Sequence, residues 1–152
     1  MVHGETAAAL CAADAEEAPA AVVVRVAYGH ALAAARPLPA GAVVARFEGP
    51  IVPTDAVPDS ERAYVLWLGD DRWMIPQSPA RYLNHSCAPN CRVLDDDTVV
   101  TLRPVARHEE LTISYNTVRP GENPPPWDPH WSFVCQCGAA GCRGTVAGWH
   151  YE

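Results

Sequence analysis

Short runs of β-branched and aromatic residues, broken by glycine and proline, dominate the chain from Val22 onward. Val22-Val23-Val24-Arg25-Val26-Ala27-Tyr28 reads as a first strand. Pro39-Ala40-Gly41 marks a turn before Val43-Val44-Ala45-Arg46-Phe47-Glu48, a second strand that Gly49-Pro50 closes. Tyr64-Val65-Leu66-Trp67-Leu68 and Arg72-Trp73-Met74-Ile75 flank Gly69-Asp70-Asp71 in the pattern of a hairpin. Thr98 to Arg103 and Leu111 to Tyr115 add two more strands, so the pattern predicts a mostly-β domain. A short helix is predicted at Pro79 to Leu83, with Ser78 as N-cap and Pro79 at the first helical position.

The 152 residues fit a single domain, and 15 prolines, about twice the usual share of roughly 5%, imply short strands and many turns. Residues 1–21 are alanine-rich, carry Glu5, Asp14, Glu16 and Glu17, and hold no Lys or Arg, which predicts a flexible arm unlike a secretory leader. The folded domain is expected over 22–119, followed over 120–152 by a Pro-rich loop and a cysteine-rich tail. No apolar run approaches the roughly 20 residues that cross a bilayer, so the expectation is no membrane and a cytoplasmic setting, or a nuclear one in a eukaryotic cell. A net charge of -7 argues against direct binding to nucleic-acid phosphates and favours a basic partner.

Six cysteines stand at 11, 87, 91, 135, 137 and 142. Cys135, Cys137 and Cys142 place three thiols close together among glycines, and structural zinc takes four such ligands in a tetrahedron. Cys87 or Cys91 is available as the fourth. A site of four thiolates keeps no open position, so its zinc would be structural. The other readings are a set of reduced thiols, a disulfide with spare cysteines, or a thiol redox protein using Cys135 and Cys137. A bond between those two would close a strained loop.

Arg81-Tyr82-Leu83-Asn84-His85-Ser86-Cys87-Ala88-Pro89-Asn90-Cys91 packs polar groups between apolar strands, where they need partners or a ligand. Together with Glu110-Leu111-Thr112-Ile113-Ser114-Tyr115 and the Cys-x-Cys-x4-Cys tail, it resembles the ordered motifs of SET-domain lysine methyltransferases carrying a post-SET segment. Tyr28-Gly29-His30-Ala31-Leu32-Ala33-Ala34 resembles that family's Gly-x-Gly segment, with Ala31 in place of the second glycine. The segment from Cys142 to Tyr151 is similar to the tails of compact bacterial members.

The resemblance implies the SET fold, in which small curved sheets meet a C-terminal segment threaded in a knot-like crossing. It implies S-adenosylmethionine as cofactor, bound by Gly29, His30, Ala31, Arg81, Tyr82, Asn84 and His85, and a structural zinc held by Cys87, Cys135, Cys137 and Cys142. Tyr115 matches the catalytic tyrosine, Tyr64 a tyrosine of the lysine channel, and Ile113 a position that tunes how many methyl groups fit. The implied reaction is methyl transfer to the ε-amine of lysine in a basic protein or peptide. Free lysine has a pKa of about 10.4, so a desolvating channel must favour its neutral form. The alternative is a non-catalytic zinc-binding module that keeps the fold, and Ala31 and Ser114, which depart from the family pattern, favour it.

Overall fold

The computed structural model describes residues 19–152; Cys11 and nearly all of the expected N-terminal arm lie outside them. Among the described residues there is no α-helix, and fourteen short strands are joined by turns and brief 3-10 segments. They are β1 Ala21–Val26, β2 Gly29–Ala34, β3 Val43–Arg46, β4 Ile51–Val52, β5 Leu66–Trp67, β6 Trp73–Met74, β7 Asn84–His85, β8 Cys91–Val93, β9 Thr98–Thr101, β10 Glu110–Ile113, β11 Thr117–Val118, β12 Phe133–Val134, β13 Thr145–Val146 and β14 His150–Tyr151. No described helix is long and apolar enough to cross a membrane.

The strands group into small sheets, and the largest, ordered β1-β2-β10-β7, carries Asn84-His85 at one edge. β1 and β2 form a tight antiparallel hairpin in which Val26 pairs with Gly29. Gly29 has φ +123, a backbone state that a side chain would strain, and this closes the turn after Tyr28. β10 runs antiparallel to β2 and parallel to β7, so it brings the first and middle thirds of the chain together. The parallel register sets Thr112 against Asn84 and Ile113 against His85.

β2 extends through Ala34, and its alanines explain why the strand is less visible in the sequence than the valine-rich β1. Ala31, Leu32, Ala33 and Ala34 are all buried, so both faces of this strand are covered, and β1 and β10 hydrogen-bond along its two edges. The core continues through Leu83, Val99, Leu111 and Val118, each 0–1% exposed. A second sheet is ordered β3-β9-β8 and a third β4-β6-β5. In the third, Leu66 pairs with Met74 and Trp67 with Trp73, the register expected for a hairpin across Gly69. Gly49 sits so close to this sheet that an added Cβ would lie 1.9 Å from the Ile75 carbonyl oxygen.

The predicted helix is a 3-10 segment over Pro79–Tyr82. Ser78 does not cap it; its hydroxyl donates instead to the Arg46 carbonyl at 2.6 Å and ties the segment to β3. At the other end of the domain, β14 returns to pair parallel with β11. Asn116, between Tyr115 and β11, has φ +58, a left-handed state that Asn tolerates better than most residues. That single residue turns the chain out of the core directly after Tyr115.

Candidate active site and metal centre

The parallel pairing of β7 with β10 places Asn84-His85 beside the segment that ends in Tyr115. The Tyr115 backbone N–H donates to Nδ1 of His85 at 2.9 Å, and the two rings meet edge-on at 5.5 Å. The Tyr115 hydroxyl donates to the Leu83 carbonyl. Burial, with Glu110 and Tyr64 adding to it, pushes the Tyr115 phenol well above the usual tyrosine range, so it stays a proton donor. Burial, followed by the charges of Arg143 and His150, pushes His85 down to about 4, which keeps its imidazole neutral and able to accept.

A cavity of about 830 Å³ opens beside the phenol, lined by Tyr64, Leu83, Ile113, Tyr115, Trp131 and Phe133 among others. Tyr64 is 39% exposed at its wall. The Arg81 guanidinium stacks over the Tyr64 ring at 4.3 Å and donates to Glu61 at 3.2 Å and to the Pro76 carbonyl at 3.0 Å. Arg81 is thus drawn to the tyrosine side of the site, and its buried Nε has no partner among the described residues.

A second group gathers outside that cavity. Asn84 Nδ2 donates to the His30 carbonyl at 2.9 Å and to Glu110 Oε2 at 3.0 Å, and the His30 ring lies 5.3 Å from that of Tyr82. Gly29, His30, Tyr82 and Asn84 therefore cluster, although some fifty residues separate the two segments in sequence. Ala31 has 0% exposure, so its side chain offers no surface to any ligand. The methyl group that replaces the family's second glycine is absorbed by the sheet.

Glu110 carries no signal of a role in the sequence, and its carboxylate also accepts from the Tyr28 hydroxyl. Its place inside the Glu110-Leu111-Thr112 run was visible in the sequence, but not its partners. Nor could the sequence reveal the Leu83 carbonyl, a backbone group with no residue signature.

The thiols of Cys87, Cys135, Cys137 and Cys142 all lie within 4.8 Å of one another, and those of Cys87 and Cys135 are 3.7 Å apart. Tetrahedral zinc with sulfur at about 2.3 Å spaces its ligands about 3.8 Å apart, so the four residues fit that ion. The Arg143 N–H donates to Cys87 Sγ at 3.4 Å and the Gly144 N–H to Cys142 Sγ at 3.5 Å, contacts that favour thiolates. The Ala139 backbone N–H draws Cys137 down to about 6, whereas burial holds Cys135 high. Cys91 is 1% exposed and stands apart in β8, where burial raises its thiol to about 11. Cys87 is thus the cysteine whose thiol lies with the three of the tail.

Five tryptophans bind the tail to the domain. Trp127, Trp131 and Trp149 contact one another at 5.5–5.6 Å, Trp73 reaches Trp131 at 5.3 Å, and Trp67 reaches Trp149 at 5.4 Å. Such tilted and edge-to-face pairs add to ordinary burial. Phe133 in β12 closes the circuit, with its ring 5.4 Å from His85 and 6.0 Å from Tyr115.

Comparison with known proteins agrees with this architecture. A histone-lysine N-methyltransferase, H3 lysine-4 specific, of Emericella nidulans is 39% identical over an alignment covering 44% of this chain and 6% of that protein. An H3 lysine-36 specific enzyme of Cryptococcus neoformans is 36% identical over 45% of this chain and 8% of its own length. Histone-lysine N-methyltransferase SETD1 of Drosophila melanogaster is 35% identical over 44% of this chain and 4% of its own. The chain therefore matches only a small part of each of these relatives. A crystal structure of a Plasmodium falciparum protein carrying a histone methyltransferase name superposes with a TM-score of 0.53 at 15% identity, over 64% of this chain and 93% of that one, a likeness of fold. The SET-domain profile matches residues 29–116, the span from the β1–β2 turn through Asn84, His85 and Tyr115 to the asparagine that turns the chain, and the protein belongs to the SET-domain family.

Proposed function

We propose that the chain is a protein-lysine N-methyltransferase that uses S-adenosylmethionine. The observation that carries this reading is the meeting of Asn84-His85 with Tyr115 across β7 and β10, beside a cavity that Tyr64 helps to wall. Gly29, His30, Tyr82, Asn84 and His85 would hold the cofactor, which when bound supplies an electrophilic methyl group. Arg81, whose guanidinium lies 4.3 Å from the Tyr64 ring and 5.8 Å from that of Tyr82, would contact the cofactor from the cavity side.

The protein's own part is positioning and desolvation. A lysine side chain entering past Tyr64, Leu83, Ile113 and Phe133 loses hydration, which lowers the pKa of its ammonium and favours the neutral amine. Tyr115, kept protonated by its surroundings and anchored at Leu83, fixes a polar group at the channel end without adding a charge. Alignment of amine and methyl can supply roughly 7–11 kcal/mol of barrier reduction without a charged general base. Zinc, held by the four cysteines, would be structural and keep the tail against the channel.

The substrate class is a lysine-bearing basic protein or peptide. The net charge of -7 supports it, and two of the relatives named above, those of Emericella nidulans and Cryptococcus neoformans, act on histone H3 by their names. Calorimetry separates the enzyme from a non-catalytic module: the enzyme binds S-adenosylmethionine and loses that affinity in Asn84→Ala, whereas a module shows no affinity in either form.

A further inference from the structure

We infer that Glu110, held by Tyr28, is a positioning residue that locks the Asn84 amide with its oxygen turned toward an incoming ammonium-bearing ligand. The inference rests on the proposal that Asn84 contacts the cofactor. One carboxylate oxygen of Glu110 accepts from the Tyr28 hydroxyl, and the other accepts from Asn84 Nδ2 at 3.0 Å. The same Nδ2 donates its second hydrogen to the His30 carbonyl at 2.9 Å. A carboxylate and a carbonyl can only accept, so the amide nitrogen must face them both. The orientation of Asn84 is thereby set by chemistry, and its Oδ1 is left over; no donor among the described residues reaches it.

A free amide oxygen asks for a hydrogen-bond donor, and the anionic carboxylate behind it favours a cationic one. S-Adenosylmethionine carries an ammonium and a sulfonium, so it fits on both counts.

Tyr28 completes the device. Tyr28 is 67% exposed, so packing does not account for its place in the turn before Gly29. Its hydroxyl does, by tethering a carboxylate from 82 residues away. The hydrogen bond to Glu110 pushes the Tyr28 phenol up to about 12, so it remains a donor at any working pH. An uncharged Gln at 110 can present its own NH2 to Asn84 and let that amide turn over.

Calorimetry with S-adenosylmethionine on the zinc-loaded full chain tests this in wild type, Tyr28→Phe, Glu110→Gln and the double variant. Glu110→Gln is expected to weaken binding about tenfold and Tyr28→Phe about threefold, in line with the loss of hydrogen bonds to a charged group. Because the two act in one chain, the double variant should bind no more weakly than Glu110→Gln alone. KM for the cofactor should rise while kcat at saturation holds, a split that simple loss of folding does not give, and Tyr28→Phe should keep the wild-type unfolding temperature. Binding by both single variants within about twofold of wild type, or losses that multiply in the double variant, would overturn the inference. A wild-type chain without affinity would instead remove the parent reading, and this one with it.

Discussion

The backbone N–H of Tyr115 donates to Nδ1 of His85, and this fixes the position of the remaining ring proton. Neutral imidazole carries one hydrogen, so it sits on Nε2, which lies 3.4 Å from Cys87 Sγ. One side chain thus touches the strand end that presents the phenol and a sulfur of the candidate zinc site. His85 is well placed to make zinc occupancy matter for catalysis, although the ion itself has no open position.

Metal and activity should therefore fall together. Purified protein is expected to hold one zinc ion by elemental analysis, and Cys142→Ser should lose it and unfold at a temperature lower by about 4 °C or more, since zinc stabilises only the folded chain. Chelation should slow methyl transfer in step with metal loss. Full-rate transfer by the stripped protein would show that the tail is no part of the site.

Tyr115→Phe removes the hydroxyl held by Leu83 and little else. The expected result is a loss of about 100-fold or more in kcat, comparable to deleting one preorganised donor, while cofactor affinity stays near wild type. Steady-state kinetics with separate calorimetry distinguishes this from a binding defect.

Much of the domain was legible in the sequence, for reasons the structure makes plain. β1, β3, β9 and the β5–β6 hairpin carry β-branched or aromatic residues between turn formers, and each appears close to its expected place. β2 is half alanine and opens on Gly29-His30, so it reads as a binding segment and not as the sheet's second strand. The meeting of the Asn84-His85 stretch with the strand that ends in Tyr115, and of Cys87 with the tail, could be read because whole motifs stand in order. The partners of Asn84 could not. Glu110, Tyr28 and the His30 carbonyl come together only once β10 lies between β2 and β7, and no local pattern encodes that pairing.

Trp149 is expected to anchor the tail. It contacts Trp67, Trp127 and Trp131, and its Nε1–H donates to the Pro125 carbonyl at 2.9 Å. Trp149→Ala should cost about 2 kcal/mol or more of stability, read by denaturant unfolding, because a half-buried indole leaves a gap among its neighbours. A change below about 0.5 kcal/mol would mean that the tail packs independently of the tryptophan cluster.

Acid should loosen the join between the Asn90 segment and β10. Glu109 accepts from Arg103 at 2.6 Å, from the Ala106 N–H at 3.0 Å and from Asn90 Nδ2 at 3.3 Å. The Arg103 contact, then the Ala106 N–H, holds its pKa below the ordinary 4.5. A depressed carboxylate stabilises the fold fully above its unfolded value and loses that contribution as pH falls through the folded one. Between neutrality and roughly pH 3.5, the unfolding temperature of wild type should fall more steeply than that of Glu109→Gln. Parallel curves would remove Glu109 from the account.

The central claim is that Asn84, His85 and Tyr115 form one methyl-transfer site. Its most direct test is mass spectrometry of a lysine-rich histone H3 peptide after incubation with isotope-labelled S-adenosylmethionine and the zinc-loaded protein. The account predicts labelled methyl on a lysine ε-amine with wild type and almost none with Tyr115→Phe or Asn84→Ala. Equal labelling by wild type and Tyr115→Phe, or a wild-type protein that binds the cofactor and leaves lysine-rich peptides unlabelled, would contradict it.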